Sequence, residues 1–110
     1  MMPLILGLSD CRRLAPFTGV AMHTFEGQYM TLSVVDMEPG AMIPEHQHPH
    51  EQIGYMVRGG GVFRIGGQTY QVQAGQMWRI PGHTPHEVLA GPEGLRAIDV
   101  FYPIREDMRR

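Results

Sequence analysis

Gly59-Gly60-Gly61-Val62-Phe63-Arg64-Ile65-Gly66-Gly67-Gln68-Thr69-Tyr70-Gln71-Val72-Gln73-Ala74-Gly75-Gln76 is the stretch that decides the fold. Two runs, 62–65 and 69–72, are too short for helices and rich in β-branched and aromatic residues. Gly66-Gly67 between them suits a two-residue hairpin turn. The triglycine before them and 73–76 after them read as further turns. Working outward, the same rhythm continues. Upstream, 20–25 and 29–36 form a hairpin about Glu26-Gly27, 38–40 turn, and 42–48 make a strand interrupted by Pro49 and resumed at 52–57. Downstream come 77–80, a loop at 81–85, 86–89, a turn at 90–94 and a last strand over 95–102 that Pro103 ends. No segment offers ten or more residues of helical periodicity. Short strands separated by glycine turns predict an all-β sandwich or barrel.

The 110 residues suffice for one domain, and 43% hydrophobic with 18% charged residues is a globular balance. A formal net charge of -2 draws the chain to neither nucleic acid nor an anionic membrane. All nine basic residues are Arg. Without lysine, Schiff-base chemistry and a P-loop are excluded. Cys11 is the only cysteine, so no intrachain disulfide, cysteine zinc cluster or CxxC pair can form. The apolar start lacks a preceding basic residue and is too short for a signal peptide or a membrane span, so the expected location is the cytoplasm. Residues 1–18 lack periodicity and are expected to form an arm across the outside of the domain, and 103–110 a polar tail.

Half of the six histidines lie in Glu45-His46-Gln47-His48-Pro49-His50-Glu51-Gln52. On an extended strand His46 and His48 point the same way, giving two imidazoles to a metal of intermediate softness. Glu51 has the opposite parity to Gln52 and turns away. His50 falls on the rim, His23 on a surface strand, and His83 in a turn. In the last strand Leu95, Ala97, Asp99 and Phe101 share one face, which puts a carboxylate in register with interior positions.

These residues carry a resemblance. Gly40, His46, His48, Gln52 and Gly59 have the spacing of the first cupin motif, and Gly75, Pro81 and His86 that of the second. The chain resembles the cupin superfamily, with motifs over 40–59 and 75–90, and the resemblance implies a double-stranded β-helix, or jelly-roll barrel. It also implies one divalent metal ion, whether Ni, Zn, Mn, Fe or Co, on His46, His48, Gln52 and His86. Gln52 stands where most cupins have a glutamate, Gly82 lies one place early, and Ala90 replaces the terminal Asn. A neutral ligand set leaves the full dipositive charge on the metal, favouring Lewis-acid over redox chemistry.

Asp99, Phe101 and Arg105, together with the Gln-containing motif, resemble the KdgF type of small cupin, which converts cyclic unsaturated monouronates from pectin and alginate into linear keto-uronates. That resemblance implies a small acidic sugar as substrate, Asp99 as proton shuttle, Arg105 as carboxylate clamp and Phe101 as an apolar face for the ring. A cupin dioxygenase and a non-catalytic sugar- or metal-binding cupin are the rivals. Small cupins commonly dimerise, and Met2 to Leu8 is expected to add a strand to a neighbour's sheet.

Overall fold

A computed structural model describes residues 3–109. Eight strands run β1 (Arg12–Phe17), β2 (Val20–Glu26), β3 (Thr31–Met37), β4 (Met42–His46), β5 (Glu51–Ile65), β6 (Gln68–Gln73), β7 (Met77–Ile80) and β8 (His86–Tyr102). Two short 3-10 turns lie at Leu8–Asp10 and Glu106–Met108. Every pairing is antiparallel. The order is β1-β2-β3-β8-β5-β6, with β4 added on β8 and β7 on β5. The expected jelly-roll barrel is what the chain forms. Among the described residues no helix is long and apolar enough to cross a membrane.

The two long strands tie the barrel together. The first half of β8 pairs with β4 and the far half of β5, while its second half pairs with β3 and the near half of β5. Two expected turns are therefore absent: 59–61 and 90–94 lie inside β5 and β8. A Cβ on Gly59 would meet the Gly94 carbonyl, and one on Gly61 the Leu89 carbonyl. The glycines mark where two backbones cross in contact, with register shifts beside them, and not where the chain reverses. Gly66-Gly67 does form the expected hairpin turn, both residues having positive φ.

The N-terminal expectation also changes. Within 1–18, residues 12–17 form β1 on the edge of β2, and Leu14 to Phe17 wall the interior cavity. Of the anticipated strand from Met2 to Leu8, Met2 lies outside the described residues. Residues 3–7 form no strand, and Leu8 begins a 3-10 turn. Strand β4 stops at His46, two residues sooner than expected, and the chain bends at Pro49 and His50.

Inside, cross-strand partners form level rows. Met22, Val35, Ala97 and Met56 make one, and Val20, Met37 and Leu95 the next, all apolar. Phe63, Trp78 and Ile80 join them in the core. Towards the mouth the rows become polar: Thr24, Ser33, Asp99, Gly54 and Trp78, then Thr31, Phe101, Gln52 and Ile80. One end of the barrel is a hydrophobic floor and the other is a site.

Candidate metal centre and active site

His46 at the end of β4 and His86 at the start of β8 are direct cross-strand partners, their ring centroids 4.3 Å apart. His48 lies beyond the strand, where its carbonyl accepts the His83 N–H at 2.7 Å and its ring centroid comes 5.0 Å from that of His86. His83 thus serves through its backbone; its ring is exposed. The loop can approach so closely because Gly82 has no Cβ, which would strike the Pro49 carbonyl. One ligand atom from each of His46, His48 and His86 falls within 4.8 Å of the others.

Each imidazole is oriented by a carbonyl two residues away. Nδ1 of His46 lies 2.9 Å from Pro44 O, Nδ1 of His48 3.1 Å from His50 O, and Nδ1 of His86 2.8 Å from Thr84 O. A carbonyl only accepts, so Nδ1 carries the proton and Nε2 presents a lone pair. His86 Nε2 is buried with no partner among the described residues. Burial, with Arg105 and His86 nearby, lowers the His48 pKa from 6.5 to about 4, and burial lowers that of His86 too. Both are neutral at physiological pH, as metal ligands must be.

Gln52 adds a sharper test of the donor set. Its Nε2 donates to Asp99 Oδ1 at 3.0 Å, which turns Oε1 towards His48 Nε2 at 3.1 Å. A neutral imidazole has one ring proton, so His48 cannot donate to both the His50 carbonyl and Gln52. A cation between Nε2 and Oε1 satisfies both atoms. Three imidazoles thus converge as a set that could hold a cation, their backbone supports already made, with the Gln52 amide oxygen beside them.

Asp99 is buried on the same inner face as Ser33 and Phe101. Its Oδ1 accepts from both Gln52 and Trp78, the latter at 2.9 Å, and Oδ2 accepts from none of the described residues. Burial raises its pKa, opposed by those two hydrogen bonds and by Arg105. A carboxyl so balanced between desolvation and donors is suited to proton transfer.

Arg105 stacks over Phe101, its guanidinium carbon 4.9 Å from the ring centroid. Its Nε and Nη2 grip Asp107 at 3.2 and 2.8 Å, which holds the Asp107 carboxyl below its ordinary range. Nη1 has no partner among the described residues. Phe101 has His48 at its other contact, 5.6 Å centroid to centroid. The ring expected to face a sugar lines the cavity and also meets Arg105 and His48. His50 contacts the His48 ring from the rim, Glu51 is exposed, and His23 is half-buried on β2.

A cavity of about 520 Å³ opens beside these groups, lined among others by His46, Gln52, His86, Asp99, Phe101 and Arg105. The residues anticipated from the sequence all converge on it or stand beside it. Sequence reasoning missed Trp78, Gly54 and Asp107. Trp78 and Ile80 alternate in the right phase, and Gly54 shares parity with Gln52, so strand phase was the available signal. The Arg-x-Asp spacing of Arg105 and Asp107 was another.

The cupin-domain pattern matches residues 33–101, and the chain belongs to the cupin family. Within it, the structure resembles KdgF from Halomonas sp. with a TM-score of 0.86 and 26% identity, covering 97% of this chain and 99% of that one. An RmlC-like cupin from Shewanella frigidimarina superposes with a TM-score of 0.87 at 23% identity, covering 96% of each chain, a likeness of fold. By sequence, the chain is 34% identical over 67 residues to the dimethylsulfoniopropionate lyase DddW of Ruegeria pomeroyi, and 40% identical over 48 residues to acireductone dioxygenase 1 of Pectobacterium atrosepticum. Those matches cover 61% and 40% of this chain, and only 44% and 28% of the two relatives. Cupins similar to this chain thus include a lyase and a dioxygenase, and its three-histidine cluster could hold a metal ion.

Proposed function

We propose that this cupin is a metal-dependent, non-redox enzyme that opens the ring of a 4,5-unsaturated monouronate, a small acidic sugar, to its linear keto form. The observation that carries the reading is Asp99: a buried carboxyl with Oδ1 held by Gln52 and Trp78, in the cavity shared by three histidines and Arg105. The near full-length likeness to KdgF supports it.

A divalent ion on His46, His48, His86 and Gln52 would supply Lewis acidity to substrate oxygens. The chain's own residues do the rest. Arg105, steadied by Asp107 and Phe101, offers Nη1 to the substrate carboxylate. Asp99 Oδ2 takes the proton of the C1 hydroxyl, the bond from C1 to the ring oxygen breaks, and C1 becomes an aldehyde. The ring oxygen is released as the enolate of C5. Asp99 then returns the proton to C4, giving the 5-keto product with no net gain or loss of atoms or electrons.

The test is addition of the metal-loaded protein to a lyase-generated unsaturated monouronate. Metal-dependent loss of the double-bond absorbance without oxygen uptake is the expected result. Unchanged absorbance overturns the reading. Oxygen uptake would favour the second reading, a dioxygenase, which rests on the 48-residue match to acireductone dioxygenase. We further propose that the chain forms a homodimer, as the resemblance to small cupins implies. A light-scattering mass of one chain would reject that dimer.

A further inference from the structure

Three hydroxyls occupy the polar rows beside Asp99. Thr24 Oγ1 donates to the Met108 carbonyl at 2.8 Å, and Thr31 Oγ1 accepts the Arg105 N–H at 3.0 Å. Both fasten the C-terminal segment over the barrel mouth. Ser33 does neither. It is 1% exposed, its Oγ is buried with no partner among the described residues, and it lines the cavity that holds the candidate site.

A buried hydroxyl without a partner is disfavoured in the free protein, and such groups call for a role. Ser33 and Asp99 are direct cross-strand partners on β3 and β8. Side chains so paired start about 5 Å apart on one face, close enough for both to reach a single ligand atom. Ser33 can donate, and Asp99 in its ionised form accepts. No other side chain in their row contests that place: Thr24 is committed to Met108, Gly54 has no side chain, and Trp78 donates to Oδ1.

We propose that Ser33 is a catalytic contact of this enzyme, donating its hydroxyl proton in a hydrogen bond to the same substrate oxygen from which Asp99 removes a proton. The assignment rests on the ring-opening reading above. As that proton leaves, negative charge grows on the oxygen, and a donor fixed beforehand in a dry site stabilises it. Ser33 forms no covalent bond; its own proton stays on Oγ throughout.

The experiment compares metal-loaded wild type and Ser33→Ala on the unsaturated monouronate, with kcat, KM, metal content and melting temperature measured together. The expected result is a fall in kcat/KM of about 10²-fold, carried mainly by kcat, as for other single donors to a developing oxyanion. Metal content stays at the wild-type level. The melting temperature holds or rises, because the variant removes a buried polar atom that had no partner. Two results overturn the assignment while leaving the ring-opening reading intact: wild-type kinetics in Ser33→Ala, or a loss of activity that tracks a loss of stability or metal. If wild type itself leaves the substrate unchanged, the ring-opening reading falls, and the role of Ser33 falls with it.

Discussion

Trp78 fills the space in which a side chain on Gly54 would stand. A Cβ built there would collide with Cε2 and Nε1 of the indole. Gly54 is the cross-strand partner of both Trp78 on β7 and Asp99 on β8, so its missing side chain is the opening through which the indole crosses one strand to reach the carboxyl on the next. Phe63 packs against the same indole, 4.6 Å between centroids.

Gly54→Ala is accordingly expected to displace the indole. Overpacking of this kind costs about 1–3 kcal/mol, read as a lower denaturation midpoint. Because Trp78 is the chain's only tryptophan, its fluorescence reports the displacement directly. Unchanged emission and stability would show that the indole has another route to Asp99.

Trp78→Phe separates packing from hydrogen bonding. The ring still meets Phe63, but Asp99 loses a donor that holds its pKa down. The Asp99 pKa therefore rises further, and the acid limb of the kcat/KM profile moves to higher pH. A profile superimposable on wild type would remove Trp78 from the tuning of this carboxyl.

Asp99→Asn keeps the shape of the side chain and removes its basicity. Turnover is expected to fall by about 10²-fold or more, with metal content and melting temperature close to wild type. Near wild-type rates would take Asp99 out of the mechanism.

Gln52→Glu exchanges a donor for a second carboxylate 3.0 Å from Asp99. Like charges at that distance push the proton affinity of the pair up, while an anionic oxygen holds a cation at least as well as the amide. The expected phenotype is full metal occupancy with depressed ring opening. Undiminished activity would mean that the neutrality of this position is incidental.

The metal-free protein should lose stability in mild acid. His48 titrates near 4 when folded against 6.5 when unfolded, so between those values the unfolded chain binds the extra proton and stability falls as pH falls. His86, also lowered, acts with the same sign. The raised pKa of Asp99 acts oppositely, so the measurement is cleanest in Asp99→Asn. There the loss between pH 6.5 and 4 that His48 contributes is on the order of 2 kcal/mol. A flat denaturation midpoint across that window would refute the assignment.

The barrel was legible in the sequence because short runs rich in β-branched and aromatic residues recur between glycines and both spaced motifs are present. The interior position of Asp99 followed from parity with Leu95 and Ala97. What stayed hidden were features set by tertiary contact. Gly59 to Gly61 and 90–94 look like turns locally, since nothing in a glycine run distinguishes a reversal from a place where two backbones touch. Likewise, β1 has an almost wholly exposed pattern that shows no alternation. The engagement of Phe101 depends on where Arg105 folds back after Pro103, and linear spacing does not encode that.

The carbonyls of Pro44, His50 and Thr84 each lie two residues from the imidazole they orient. Such contacts are fixed by local chain shape. The site is therefore modular. Its ligand set could be rewritten at Gln52, which takes its orientation from Asp99, without disturbing the three histidines, whose orientation is secured within their own loops. That separation would let one position change the chemistry while the three imidazoles keep their arrangement.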